Sequence, residues 1–398
     1  MLKNVIVVND FDYVQGGASK VAIQTANMLT ETNNFLNVYF FSAVHSDESI
    51  LDNKVIKICT NQSEAIRTKN KIHGLINGLY NLKAKKEFKK LLCTLNNKET
   101  IIHIHGWTKA LSCSIFDIAY KLNFKVVLTM HDYFTACPNG GYFNYKKNKI
   151  CHIKPLTWKC IICNCDSRNY LFKIYRIIRH FIQNKIVKLN DRLTDVISIS
   201  DFSEKILEET LNKNMKIHRV YNPIDIDPNS KKVDYKKNKY FLYVGRISKE
   251  KGVDIFCEAI TKTNQKGVVV GDGPELPMLK EKYKNIEFVG WKDSDEVKKY
   301  MQGAKALIIP SRWYEAAPLT PLEAIQYGIP VITSDCNATV DYINENNGEM
   351  FSIEKDNLKD ALLNFIPKYK PNINNNSNKY ANKLYKVYNI IEKRGTKV

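Results

Sequence analysis

Glu315 and Glu323 stand with seven residues between them, Pro318 and Pro321 among these, inside the stretch Ala306 to Asp335. Two carboxylates at such a spacing do chemistry only if the chain folds them toward one place, and the flanks indicate how. Ala306 to Ile309 is apolar enough for a buried parallel strand. Pro310-Ser311 ends it, and Leu319 to Tyr327 has the pattern of a helix that stops at Gly328-Ile-Pro330. Glu315 then lies in a loop at the carboxyl end of a strand, the edge at which open α/β sheets bind their ligands. A carboxylate there accepts hydrogen bonds from paired hydroxyls of a ribose or a sugar.

Cations and glycines fall at equivalent strand ends. The apolar run Tyr240 to Gly245 leads into Arg246-Ile-Ser-Lys-Glu-Lys251-Gly252, and two cations just after a strand suit a diphosphate. Val268 to Gly271 and Ile286 to Gly290-Trp291 are short β-runs ending in glycine, as where a backbone approaches a nucleotide closely. In the first half, Asn4 to Val8 is an apolar strand. Gln15-Gly16-Gly17-Ala18 follows, then an amphipathic run from Lys20 to Leu29. A glycine pair opening a helix presents N–H groups to an anion or sugar phosphate, yet this is not the G-x-G-x-x-G pattern of a dehydrogenase. Lys125 to Met130 is another strand, ending in His131-Asp132. Period-two spacing puts His103 and His105 on one strand face, His105 toward the cleft and His103 in the packing.

This ordered set resembles retaining glycosyltransferase family 4, whose fold is GT-B: α/β, two Rossmann-like domains facing a central cleft. The run from Glu315 to Glu323 resembles its E-x7-E motif and Gly245 to Gly252 its G-R-x-x-x-x-K-G segment. The resemblance implies a sugar moved from a nucleotide-diphosphate donor, UDP- or GDP-linked, with retention, onto a lipid-linked saccharide acceptor in bacterial surface-polysaccharide or glycolipid assembly. It implies Glu323 on the ribose hydroxyls, Arg246 and Lys251 on the diphosphate, Glu315 on the transferred sugar and His131 at the reacting centre. Gly16, Gly17, Gly271, Trp291, Leu319 and Thr320 join the donor side, and Asp12, His105 and Asp132 the acceptor side. No metal is required for catalysis, since Arg246 and Lys251 supply the positive charge. A GT-B transferase with a soluble acceptor and a non-catalytic sugar-nucleotide or nucleic-acid binding protein are the competing readings. The latter leaves the intact set of Arg246, Lys251, Glu315 and Glu323 unexplained.

A chain of 398 residues divides naturally into two α/β domains. The expected division is an acceptor domain over 1–224, a polar linker over 225–239, a donor domain over 240–377 and a terminal helix over 378–398 that crosses back to the first domain. Ser198 to Glu204 reads as the segment after the last strand of the first domain and as a capping sequence. Asp10-Phe-Asp12 and Asp293-Ser-Asp295 imitate a metal-binding D-x-D but sit where capping suffices.

The net charge of +19 is uneven: residues 1–200 carry 28 Lys and Arg against 14 Asp and Glu, leaving 32 against 27 for the rest. Lys83 to Lys90 and Arg168 to Arg192 concentrate it, the latter interleaved with Leu171, Phe172, Tyr175, Ile177, Ile178, Phe181 and Ile182. Basic residues among aromatics mark an interfacial helix on anionic lipid, unless the apolar residues face the core and the cations solvate the outside. With no run of eighteen uncharged apolar residues, the expectation is a cytoplasmic protein held peripherally at the inner membrane face. Nucleic acid is not an expected partner, since no binding motif for it appears.

Five of the ten cysteines fall between Cys137 and Cys165. Their C-x2-C and C-x-C spacings fit thiolate binding to a structural zinc, with Cys137, Cys151, Cys160 and Cys165 as the ligand set. The segment 137–165 would hang as a lobe beside the cleft. Cys59, Cys93, Cys113, Cys257 and Cys336 lie in apolar runs and read as core.

Overall fold

The computed structural model describes residues 2–32, 34–209, 211–223, 233–355, 357–365 and 377–394. The first-domain strands are β1 (Asn4–Val8), β2 (Asn37–Ser42), β3 (Ile56–Cys59), β4 (Thr100–Ile104), β5 (Lys125–Thr129), β8 (Asp195–Ser198) and β9 (Lys216–Arg219), with a small hairpin, β6 (Phe143–Asn144) and β7 (Lys149–Ile150), inserted between β5 and β8. Their order is β3-β2-β1-β4-β5-β8-β9 and every pairing is parallel. The second sheet holds β10 (Tyr240–Val244), β11 (Gly267–Val270), β12 (Ile286–Gly290), β13 (Ala304–Ile309), β14 (Val331–Ser334) and β15 (Gly348–Phe351), ordered β12-β11-β10-β13-β14-β15 and also all parallel.

Parallel strands covered by helices on both faces read as continuous apolar runs. In β1 successive side chains enter different cores. Ile6 and Val8 pack with Phe41 and Phe88, while Val5 and Val7 pack with Ile23 and Leu384. Each such fully buried side chain contributes at most about 1.5–3 kcal/mol, which is why the sheets rather than the loops fix the geometry. Strand order reverses between β1 and β4 and again between β10 and β13. These switch points are the two places where loops at the carboxyl edge diverge and leave a crevice.

Six helices matter here: α1 (Gly17–Glu31), α2 (Lys71–Leu79), α3 (Trp158–Ile162), α4 (Tyr170–Phe181), α5 (Thr320–Tyr327) and α6 (Ser377–Arg394). Helix α6 does cross back to the first domain. Tyr380 OH meets Thr25 Oγ1 at 2.7 Å, Tyr388 OH meets His103 Nδ1 at 2.6 Å, and Arg394 pairs with Asp195 at 2.8 Å.

Several expectations change. Residues 225–232 of the linker lie outside the described residues, but 233–239 belong to the second domain: Val233 N–H donates to Tyr327 O at 2.9 Å and Tyr235 is buried against that sheet. Strand β9 follows β8, so Ser198 does not end the last strand of the first domain; Ser200 does cap the next helix, accepting from Ser203 N–H at 3.0 Å. Cys93 is exposed, and Cys59 and Cys336 only half-buried.

Among the described residues no helix is long and apolar enough to cross a membrane. Nor do three or more His, Cys, Asp or Glu side chains gather in a group able to hold a metal ion. Of the expected zinc ligands Cys137, Cys151, Cys160 and Cys165, three, Cys137, Cys160 and Cys165, neighbour the ammonium of Lys173. The buried ammonium of Lys173 donates to Cys160 Sγ at 3.5 Å, so a cation of the chain's own occupies the thiol-lined space.

Candidate functional site

The carboxyl edges of the two sheets face each other across a cavity of about 470 Å³. Nine of the expected residues line it: Gly16, Gly17, His131, Asp132, Lys251, Glu315, Leu319, Thr320 and Glu323. They come from the loops after β1, β5, β10 and β13 and from the start of α5.

Glu315 is held by backbone and side chain together. Its carbonyl accepts from Ala338 N–H at 2.9 Å, and its Oε2 accepts from Ser311 Oγ at 2.7 Å. Its Oε1 pairs with Lys251 Nζ, which also lies 5.5 Å from the ring centre of Trp313. Lys251 sits in a single 3₁₀ turn ended by Gly252 at φ +68°, where a Cβ would collide with the carbonyl of Pro310. Glycine is required there because that close approach to the end of β13 brings Lys251 to Glu315. With both oxygens engaged, Glu315 is arranged to accept hydrogen bonds and to position a ligand rather than to attack one.

Glu323 stands in the first turn of α5, and its Oε1 lies 3.3 Å from Lys20 Nζ on α1, in the opposite domain. The amino termini of α1 and α5 meet at this point. A Cβ on Gly17 would sit 3.9 Å from Leu319 Cδ1. The first N–H groups of α1 have no intrahelical acceptor; on α5, where Pro321 has no N–H and Leu322 N–H donates to Leu319 O at 3.0 Å, the N–H of Thr320 is the one left, with no side-chain cap. Two positive helix ends from different domains, with Lys20 and Lys251, make an anion-binding centre.

His131 Nε2 lies 2.9 Å from His105 Nδ1, with the rings stacked at 27°. The rings of His105 and His103 are 4.1 Å apart, and His103 is gripped by Tyr388 and, at 2.6 Å, by Thr129. Burial depresses all three imidazoles, His131 and His103 to about 3, so each is neutral at physiological pH. Asp132 opens to solvent along the cleft. It is nonetheless raised to about 6 by the protein packed around it, against the pull of the Phe134 N–H.

Other expected residues lie elsewhere. His105 is behind His131, not in the cavity lining. Asp12 is a loop anchor: it accepts from Ser46 N–H at 3.1 Å and pairs with His45 at 2.6 Å. Its neighbour Asp10 accepts three N–H groups at 109–111, and Asp293 caps a helix through Glu296 N–H at 2.8 Å, so loop anchoring accounts for the first D-x-D look-alike and capping for the second. Arg246 is exposed and outside the cavity lining, and Trp291 is 75% exposed. Gly271, at φ +138°, is glycine because a Cβ would strike the carbonyl of Gly245.

Residues without an earlier signal complete the wall: Lys20, Ser311, Tyr133, Asn222 and Trp313. The last three carry buried polar atoms with no partner, Tyr133 OH, Asn222 Oδ1 and Trp313 Nε1, as a site that takes a polar ligand does. Asn222 stood in the sequence only as part of Tyr221 to Asp225, which resembles the N-P-x-D entry to the hinge, and nothing in the spacing of the others marked them.

The whole architecture superposes on solved structures. Over 98% of this chain and 97% of the other, it matches the lipopolysaccharide outer core galactosyltransferase WaaB with TM-score 0.57 at 17% identity. Over 99% and 100% it matches Anabaena HepE in complex with UDP-glucose with TM-score 0.59 at 13% identity. The fold is GT-B. Residues 225–384 of this GT-B chain match the family model described as glycosyl transferases group 1. An uncharacterized 41.2 kDa protein of the Klebsiella pneumoniae cps region is 26% identical over 63% of the chain. The Escherichia coli UDP-Gal:alpha-D-GlcNAc-diphosphoundecaprenol alpha-1,3-galactosyltransferase is 26% identical over 45% of the chain. The matched segments span 64% and 52% of those two relatives' own length, under two thirds in each.

Proposed function

We propose that the GT-B cleft transfers a sugar, with retention, from a UDP- or GDP-linked donor to a lipid-linked saccharide during surface-polysaccharide assembly, and that the protein works peripherally at a membrane. The observation that carries the reading is the convergence of two helix amino termini and two lysines beside Glu315 and Glu323. An anion flanked by hydroxyl-bearing groups on both sides is what that arrangement complements, and a nucleotide-diphosphate sugar has that form.

In this reading Glu323 exchanges Lys20 for the ribose hydroxyls and Lys251 turns toward the diphosphate. As the bond from the sugar to the diphosphate breaks, charge grows on the leaving oxygen. Fixed N–H groups and Lys251 stabilise it without reorganising, the kind of interaction that lowers barriers most. Arg246 reaches the same anion only by swinging inward from its exposed position. Neutral His131, tied back by His105, presents its remaining nitrogen to the reacting sugar, and Glu315 holds that sugar's hydroxyls. No dedicated nucleophile is assigned. HepE, a neighbour in fold, is a UDP-glucose complex, and the name of the Escherichia coli relative specifies a diphosphoundecaprenol acceptor; both support the substrate classes.

The test is a panel of UDP- and GDP-sugars scored by thermal shift and by donor turnover with and without a polyprenyl-diphosphate saccharide. One donor should raise the melting temperature and be consumed. The absence of stabilisation, transfer and hydrolysis across the panel would end the proposal.

A further inference from the structure

Helix α4 is built inside out. Lys173, Arg176, His180 and, just beyond its end, Gln183 follow one another at helical spacing along the inward face. Lys173 is 1% exposed. Arg176 pairs with the fully buried Asp166 at 2.7 Å, Arg179 lies 4.6 Å over the Phe134 ring, and Gln183 donates to Phe134 O at 3.3 Å. The opposite stripe, Leu171, Ile174, Ile178 and Phe181, is exposed, Leu171 at 78% and Phe181 at 55%. An amphipathic helix on a water-facing surface has the reverse arrangement, with its apolar stripe on the core. The arginines that the sequence offers as a lipid-facing row are instead clamps on the segment after His131.

The exposed stripe has neighbours. Tyr175 OH donates to Leu75 O of α2 at 3.0 Å, and α2 exposes Ile72, Leu75 and Ile76. Tyr170 OH donates to Ile161 O of α3 at 3.0 Å, and α3 exposes Trp158, Ile161 and Ile162. Three adjoining helices therefore expose their apolar residues together. Contiguous surface of that kind marks an interaction site. Its charge selects the partner. Residues 65–86 contain no acidic residue, and 152–190 contain only Asp166, which is buried and paired. Exposed cations border the face: Lys69, Lys71, Lys83, Lys159 and Lys185, with Lys159 Nζ 5.9 Å from the Trp158 ring centre.

We propose that α2, α3 and α4 form a bilayer-docking face: the apolar side chains enter the acyl boundary of an anionic leaflet while the surrounding lysines meet its headgroups. The purpose of such docking rests on the lipid-borne acceptor proposed above. Its geometry does not, and α4 joins the two directly, because its inward face clamps Phe134 to Asn139 and so the loop that carries His131 and Asp132.

The experiment is co-sedimentation of the full chain, without donor or acceptor, with vesicles of phosphatidylcholine alone and of equal parts phosphatidylglycerol and phosphatidylcholine. The wild type should pellet with the anionic vesicles only and be released by salt. Leu171→Ser/Ile174→Ser/Phe181→Ser should bind about tenfold more weakly or worse, the loss expected on withdrawing even one apolar side chain from the acyl region. Lys69→Glu/Lys71→Glu/Lys159→Glu should lose the preference for anionic lipid. Melting temperature and donor-induced thermal shift of both variants should match the wild type, which separates this face from the cleft. Failure to pellet, equal pelleting with both vesicle types, or unchanged binding of the triple-serine variant would overturn the proposal. So would a wild-type dimer in solution that the triple-serine variant dissolves, since a second copy would then be what covers the face.

Discussion

Replacing Glu323 by alanine tests the donor site most directly, because its effect separates two roles the same side chain could play. In the structure Glu323 pairs with Lys20 across the domains, each side chain about 30% exposed. A pair that open to water contributes roughly 0.2–1 kcal/mol. If Glu323 instead takes both ribose hydroxyls when donor binds, two hydrogen bonds to a charged acceptor contribute about 1.5–3 kcal/mol each. After the exposed pair is given up, the net is about 2–5 kcal/mol, or roughly thirty-fold to a few thousand-fold in Kd. Isothermal titration with the nucleotide sugar that stabilises the wild type best should show that loss for Glu323→Ala. Lys20→Ala, which removes both the competing pair and one partly exposed cation of the anion centre, two effects of opposite sign and of up to about 1 kcal/mol each, should change the Kd by about fivefold at most. The reasoning fails if Glu323→Ala binds donor within about threefold of wild type, or if Lys20→Ala is equally damaging. Either result would make the pair a clamp between domains.

Lys251→Met should lower turnover by about a hundredfold or more and also lower the melting temperature, since Glu315 would keep Ser311 alone. Lys251→Met/Glu315→Gln should recover the melting temperature without recovering activity; recovery of neither would mean that the pair holds no charge in balance. Chelation by EDTA should leave transfer intact in a rate assay, and dependence on added magnesium or manganese would contradict the role given to Lys251. His131 is held near 3 by burial but titrates near 6.5 once unfolded. The unfolded chain therefore binds the extra proton first, and stability falls as pH drops from about 6.5 toward 3, by about 1.4 kcal/mol per pH unit for each such histidine. Urea unfolding of His131→Asn over that range should show a slope shallower by about one proton, and an identical slope would refute it. Tyr388→Phe should lower the melting temperature by leaving a buried His103 nitrogen unsatisfied while donor affinity stays unchanged.

The two sheets were legible because parallel strands buried on both faces leave unbroken apolar runs, and the cleft was legible because β-to-loop transitions carry its glycines, lysine and glutamates. Contacts between domains left no local trace. Lys20 and Glu323 are 303 positions apart, and neither belongs to a periodic pattern that would pair them. Helix α4 shows the limit differently. Its two stripes are both evident in the sequence, but which of them faces inward depended on Asp166, Phe134 and Asn139, residues that only the fold brings beneath it. The cysteine spacing carried a related blind spot: Cys137, Cys160 and Cys165 do come together, and nothing in their spacing showed that Lys173 lies among them.

Helix α6 has a consequence for how the protein is made. Tyr380, Leu384, Val387, Tyr388 and Ile391 are part of the same core as Val5, Val7 and Phe40. The first domain's sheet is complete once Arg219 has been synthesised, yet the part of one face that Ile23 and Ala26 of α1 leave uncovered stays open until residues 380–391 leave the ribosome. Domains generally fold amino terminus first as they emerge. Here that order is broken: the first domain waits, with apolar surface exposed, through the synthesis of the entire second domain. Its nascent form is a natural client for a chaperone, and a stop codon just before Tyr380 would disable the domain farther away in sequence.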